Sequence, residues 1–67
     1  MKIRKIIKII EKDGWFPVRT TGSHRHYEHP IKKGIVTISG QPSKEIAKKT
    51  LNCVLKQAGL TRDDVDG

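Results

Sequence analysis

Gly14-Trp-Phe-Pro-Val-Arg-Thr-Thr-Gly-Ser-His-Arg-His-Tyr-Glu-His-Pro-Ile-Lys-Lys-Gly-Ile-Val-Thr-Ile-Ser-Gly40 runs through the middle of the chain. Three short runs with strand character are cut by turn residues. Ile35–Ser39 is β-branched almost throughout and reads as a strand. His24–His29 reads as a second strand, set off from a first, Trp15–Thr21, by Gly22-Ser23. Pro17 suits an edge strand, where a missing N–H is harmless. Short turns between the runs imply an antiparallel meander.

Outward from the meander, the pattern becomes helical on both sides. Ile3, Ile6, Ile7 and Ile10 recur at helical spacing, with Lys and Arg between them. Ile is a poor helix former, so period rather than propensity carries this assignment. Gly14 reads as the residue that ends the helix. After Gly40-Gln41-Pro42, Ser43 reads as an N-cap with Glu45 in the first turn. Ile46, Thr50, Leu51, Val54, Leu55 and Ala58 form a second stripe, closed by Gly59 and Leu60. The expected fold is α+β, in the order α-β-β-β-α. A three-stranded antiparallel sheet carries two helices on one face, because neither stripe has another apolar surface to cover.

The 67 residues, 7.6 kDa, are expected to form one domain over 1–60, followed by an acidic tail, 61–67. A domain this small hides only about 60% of the surface its unfolded chain exposes. It must offset roughly 1.5 kcal/mol of ordering entropy per residue. A deep cofactor pocket is therefore not expected, and no cofactor is assigned. Lys and Arg number 14 against 7 Asp and Glu, a formal +7. Residues 1–60 hold 13 basic and 4 acidic side chains, a net +9. Such a body points to a polyanion, nucleic acid before an anionic membrane surface. A membrane-surface role for the basic first helix is disfavoured, since the core needs its Ile stripe. The single cysteine, Cys53, excludes an internal disulfide and fits a reducing cytoplasm. No apolar run reaches membrane-span length, and the basic N-terminus lacks a signal-peptide pattern.

Strand alternation sorts the side chains by face. Tyr27 should face the helices, with Arg25 and His29 sharing its parity at the margin. His24, His26 and Glu28 then take the open face. Phe16 and Val18 are expected inward, and Trp15, Pro17 and Arg19 outward. A bulge at Gly22-Ser23 would reverse His24. His24, His26 and His29, spaced H-x-H-x-x-H, do not converge in this arrangement, so no metal site is assigned. Glu28 reads as a partner holding the tautomer of His26. Cys53 sits mid-helix without a nearby histidine and reads as half-buried, not nucleophilic. Ser23 beside His24 is a turn residue, not half of a dyad. Lys44 and Lys48, one helical turn apart, and Lys49 could hold phosphates. Lys5, Lys8, Lys32 and Lys33 extend that charge.

An exposed histidine titrates near neutrality, so it can move protons at neutral pH. RNA brings its own nucleophile, the 2′-OH. A histidine and a few cations therefore suffice to cleave it without a metal.

The motif Thr21-Gly-Ser-His-Arg-His-Tyr27, with Glu28-His-Pro30 and Val36-Thr-Ile38, resembles the HicA toxins of bacterial toxin–antitoxin modules. So does Pro42-Ser-Lys-Glu-Ile46 and the ending Leu55-Lys-Gln-Ala-Gly-Leu60. The resemblance covers residues 1–60 in the family's order. It implies a double-stranded-RNA-binding-domain-like fold and a ribonuclease that cleaves mRNA, with a HicB antitoxin as partner. It implies that His24, the histidine of Gly-Ser-His, is the catalytic general acid/base. Ser23, Arg19, Arg25, His26, Lys44, Lys48 and Lys49 are the candidate RNA contacts, and Trp15 a candidate for stacking on a base. Many members carry another histidine before the second helix. Here Ser39-Gly-Gln-Pro42 stands there, so a second proton carrier would be His26 or water. Lys48 and Lys49 replace the family's frequent Pro-Gly. A non-catalytic RNA-binding module of the same fold is the alternative.

Overall fold

The Ile stripe forms one helix, α1 (Ile3–Asp13), with Ile3, Ile6 and Ile10 buried and Ile7 and Ile9 half-buried. The computed structural model describes residues 1–66. After α1 come β1 (Phe16–Thr21), β2 (His24–Glu28), β3 (Val36–Ser39), α2 (Lys48–Ala58) and a short α3 (Arg62–Asp66). The three strands pair antiparallel in the order β1-β2-β3. Tyr27, Val36 and Ile38 line the covered face and pack against α1 and the Leu51, Val54, Leu55 and Ala58 stripe of α2. Val65 of α3 is also buried. Thr61 caps α3: its N–H and hydroxyl both donate to the Asp64 carboxylate, at 2.7 and 3.1 Å. Those bonds hold the Asp64 carboxyl below its usual range.

Both long helices stop at a glycine in the left-handed region. Gly14 (φ +118°) donates to Glu11 O, and Trp15 N–H donates back to Ile10 O at 3.1 Å. This paired bond pattern turns the chain sharply and drives the next side chain inward. Trp15 is consequently core, 2% exposed, where the sequence reading expected it outward. Phe16 and Val18 were expected inward and are instead 45% and 43% exposed. The cause is a bulge: the β1–β2 register steps between Pro17 and Arg19, so Val18 is an extra residue. One extra residue reverses alternation on its N-terminal side. Pro17, opposite Tyr27, is exposed on the edge strand as expected, and Arg19 opposite His26 stays outward as expected.

The second helix begins four residues later than expected. Ser43 is not its cap; Ala47 occupies the N-cap position in an extended conformation. The competing demand comes from α1, whose first N–H groups lack helical partners. Ile3 N–H donates to Lys44 O (2.9 Å) and Arg4 N–H to Pro42 O (3.0 Å). Lys2 and Glu45 form an antiparallel bridge, and the Glu45 carboxylate meets the terminal ammonium at 2.8 Å. That hydrogen bond lowers the Glu45 carboxyl from its usual range. Lys44 therefore lies outside the helix and does not stack on Lys48. Thr50 and Cys53 are exposed, where the sequence reading placed Thr50 in the buried stripe and Cys53 half in it.

His29 is not a marginal side chain either. Its Nδ1 accepts the N–H groups of Ile31 and Lys32, both at 3.0 Å. Two donors on Nδ1 leave the proton on Nε2, which donates to Asp13 O at 2.8 Å. The ring meets Trp15 edge-on, 5.2 Å between centroids. Lys32 Nζ binds Asp13 Oδ2 at 2.6 Å and Ala58 O at 3.0 Å, so it is a structural cation rather than a free phosphate ligand.

Replacing His29 with Ala should cost about 2–3 kcal/mol in urea unfolding, because buried bonding groups lose their partner. Exposed His24→Ala should stay within about 0.5 kcal/mol. Gly14→Ala should also destabilise, since a Cβ there would lie 2.7 Å from His29 Nε2 at a positive φ. Burial, aided by the Glu11 carboxylate and opposed by Arg25, raises the Tyr27 phenol above its usual 10.0. A raised acid contributes stability that is complete below its unfolded value and lost as pH climbs through the folded one. Wild type should therefore lose thermal stability faster than Tyr27→Phe above about pH 10.

Candidate functional site

The helices cover one sheet face and leave the other open. Cross-strand pairing arranges that open face in rows. The first row is Thr21, His24 and Ser39, and the second is Arg19, His26 and Thr37. Phe16 pairs with Glu28 in the third, and Ile35, just ahead of β3, continues it. His24 and His26 are two residues apart on one strand face, about 7 Å along the strand.

His24 is placed by the hairpin before it. Thr21 and His24 pair across the two-residue loop Gly22-Ser23. Only Gly22 in this loop has positive φ, +60°, which fits a tight primed turn with glycine first. The Ser23 carbonyl accepts the Gly40 N–H at 3.2 Å, fixing the loop to the end of β3. The loop therefore does not reverse His24, which stands exposed on the open face with no side-chain hydrogen bond among the described residues.

His26 is half-buried, and its Nδ1 lies 3.1 Å from Thr37 Oγ1. The expected Glu28 partner is thus replaced by Thr37, across the strand rather than along it. That bond leaves Nε2 as the ring nitrogen available to a ligand. Glu28 has no ion pair or hydrogen bond among the described residues. Val18, Arg19, His26, Glu28 and Ile35 enclose an open groove of about 290 Å³.

The remaining candidates are dispersed. Arg25 lies on the covered side, its guanidinium donating to Gly40 O at 3.0 Å. Lys44 sits in the loop after β3, and Lys48 and Lys49 in the first turn of α2; all are exposed. Trp15 is buried and cannot stack on a base without unfolding. His29 lies apart from His24 and His26, so the three imidazoles do not converge. A larger cleft, about 660 Å³, lies between α1 and α3 and holds no histidine. Among the described residues no helix is long and apolar enough to cross a membrane. Sequence reading missed Thr37 as the His26 partner and Ile35 as an exposed wall. Alternation with buried Val36 and Ile38 was the available signal for both.

The chain is a small basic α+β domain of α-β-β-β-α order with two histidines on its open sheet face. Residues 3–60 match the family described as the HicA toxin of bacterial toxin–antitoxin, and the chain belongs to that family. No curated protein matches the chain. Membership makes it the toxin side of a toxin–antitoxin pair, a class whose members act on RNA and are matched by an antitoxin.

Nitrogen-15 shifts of the imidazoles test this geometry. His29 should show a single Nε2–H tautomer at neutral pH. Thr37→Val should move the His26 Nδ1 resonance and leave His29 unchanged.

Proposed function

We propose that this protein is an mRNA-cleaving endoribonuclease that needs no metal, with His24 as general acid/base. The observation that carries the reading is His24 itself: a solvent-exposed imidazole, unpartnered among the described residues, held by a tight turn on the open sheet face one row from Arg19. His24 takes the proton of a 2′-OH. The O2′–P bond forms, the P–O5′ bond breaks, and the 5′ oxygen leaves with a proton given by His26 or water. The products end in a 2′,3′-cyclic phosphate and a 5′-OH. Arg19, one strand over and one row along, is positioned to offset charge growing on the phosphate. Ser23 and His26 flank His24 as further contacts to the strand. Lys44, Lys48, Lys49 and the free donors of Arg25 are proposed to bind phosphates beyond the cleaved one. A HicB-like antitoxin would neutralise the toxin, and the site of action is the cytoplasm, where mRNA is found.

Purified wild type should cut a mixed-sequence RNA in excess EDTA. His24→Ala should lose about a hundredfold or more of the rate, the usual reach of general acid–base catalysis, and still bind. Binding without cutting by both proteins would make this an RNA-binding module instead. Affinity should fall on a log–log plot against salt with slope about −0.7 per phosphate neutralised. Lys48→Gln with Lys49→Gln should flatten that slope without abolishing cleavage.

A further inference from the structure

The open groove beside His26 has a composition that phosphate binding does not explain. Its walls are the exposed side chains of Val18 and Ile35, the latter 55% exposed. Its polar groups are Arg19, His26 and Glu28. A carboxylate repels a phosphate, yet Glu28 stands among the cationic and imidazole groups of this face. It is not spent on His26, whose Nδ1 is held by Thr37. Nor does it form a salt bridge among the described residues, although Arg19 shares the groove. A ligand here must offer N–H donors to a carboxylate and a flat apolar body to Val18 and Ile35.

We propose that this groove is a base-reading subsite for a single-stranded RNA nucleotide, resting on the reading that RNA binds this face. A base lies with its faces against Val18 and Ile35 and its Watson–Crick edge toward Glu28. Single-stranded RNA is read in this way, by packing on the base and bonds to its edge. The carboxylate selects by donor count. Guanine presents two neighbouring donors, N1–H and the N2 amine, to the two oxygens of Glu28. Uracil presents one N–H between two carbonyls, which the carboxylate repels. Cytosine and adenine present one exocyclic amine and rank between them. Glu28 and His24 share one strand face four residues apart, about 13 Å. The base read is therefore near the cleaved bond but not the one adjoining it. The groove sits just below the roughly 300–1,000 Å³ typical of pockets for drug-sized ligands, which suits one base better than a whole cofactor.

The test uses fluorescent 2′-O-methyl pentanucleotides, which cannot be cleaved, so its outcome is independent of His24 chemistry. One set is all uridine; in the other a single guanosine is moved through each position. At one position guanosine should tighten binding to wild type roughly tenfold, within the range of a two-bond base contact. Glu28→Gln should abolish most of that preference and hold all-uridine affinity within about twofold or improve it, as a repelling charge is removed. Ile35→Ala should weaken the guanosine-bearing oligomer more than the all-uridine one. Equal binding of both sets by wild type, or a guanosine preference that survives Glu28→Gln, overturns the subsite. Val18 and Ile35 would then be assigned to a protein contact. Failure of the EDTA cleavage assay with this preference intact would remove the nuclease reading and leave the subsite standing.

Discussion

His29 fastens the C-terminus of α1 to the end of β2, and the rest of the molecule is arranged around that attachment. Its two ring nitrogens serve three backbone groups on two segments: Asp13 O on one side, and the N–H groups of Ile31 and Lys32 on the other. Lys32, positioned by that loop, reaches Asp13 and the last carbonyl of α2. One imidazole and one ammonium thus join both helix C-termini to the sheet. Gly14 is required at the centre of this junction because no side chain fits between the chain and His29. In a domain with so small a core, a polar junction of this kind decides how the helices lie on the sheet.

The same junction sets which side chains reach the open face. Trp15 follows Gly14 into the core, and the bulge at Val18 then restores Arg19 to the open face. Strands β2 and β3 are left with one packed side and one open side, while the edge strand β1 is exposed along its length. Three histidines close together in sequence consequently take three roles. His29 is structural, His26 is held by a cross-strand hydroxyl, and His24 is unpartnered among the described residues. Their neighbours determine the difference, since all three begin from the same side-chain chemistry.

Much of this was legible from residue pattern. The Ile stripe of α1, the helix-ending glycines, the β-branched third strand and the Gly22-Ser23 turn each carry their own local cause. The open-face placement of His24, His26 and Arg19 followed from alternation. The misreadings share one origin, contacts between distant segments. Ser43 has a good cap side chain, but the unsatisfied N–H groups of α1 hold the carbonyls around it. Phe16 and Val18 look inward until the register with β2 inserts an extra residue. Glu28 is near His26 along the chain, yet Thr37 is nearer across the sheet. His29 looks marginal until the end of α1 is brought against it. The role proposed for His24 rests on resemblance to the family's Gly-Ser-His motif, because an exposed histidine has no sequence signature of catalysis.

The open face of the sheet, rather than the helical layer, is the surface proposed to work on RNA. The most direct test is a titration of the labelled protein with an uncleavable 2′-O-methyl RNA, following backbone and imidazole resonances together. The largest shifts are expected at Arg19, His24, His26 and Thr37–Ser39, with the His29 ring unmoved. Shifts confined to α1 and α2, with His24 and His26 silent, would contradict that proposal.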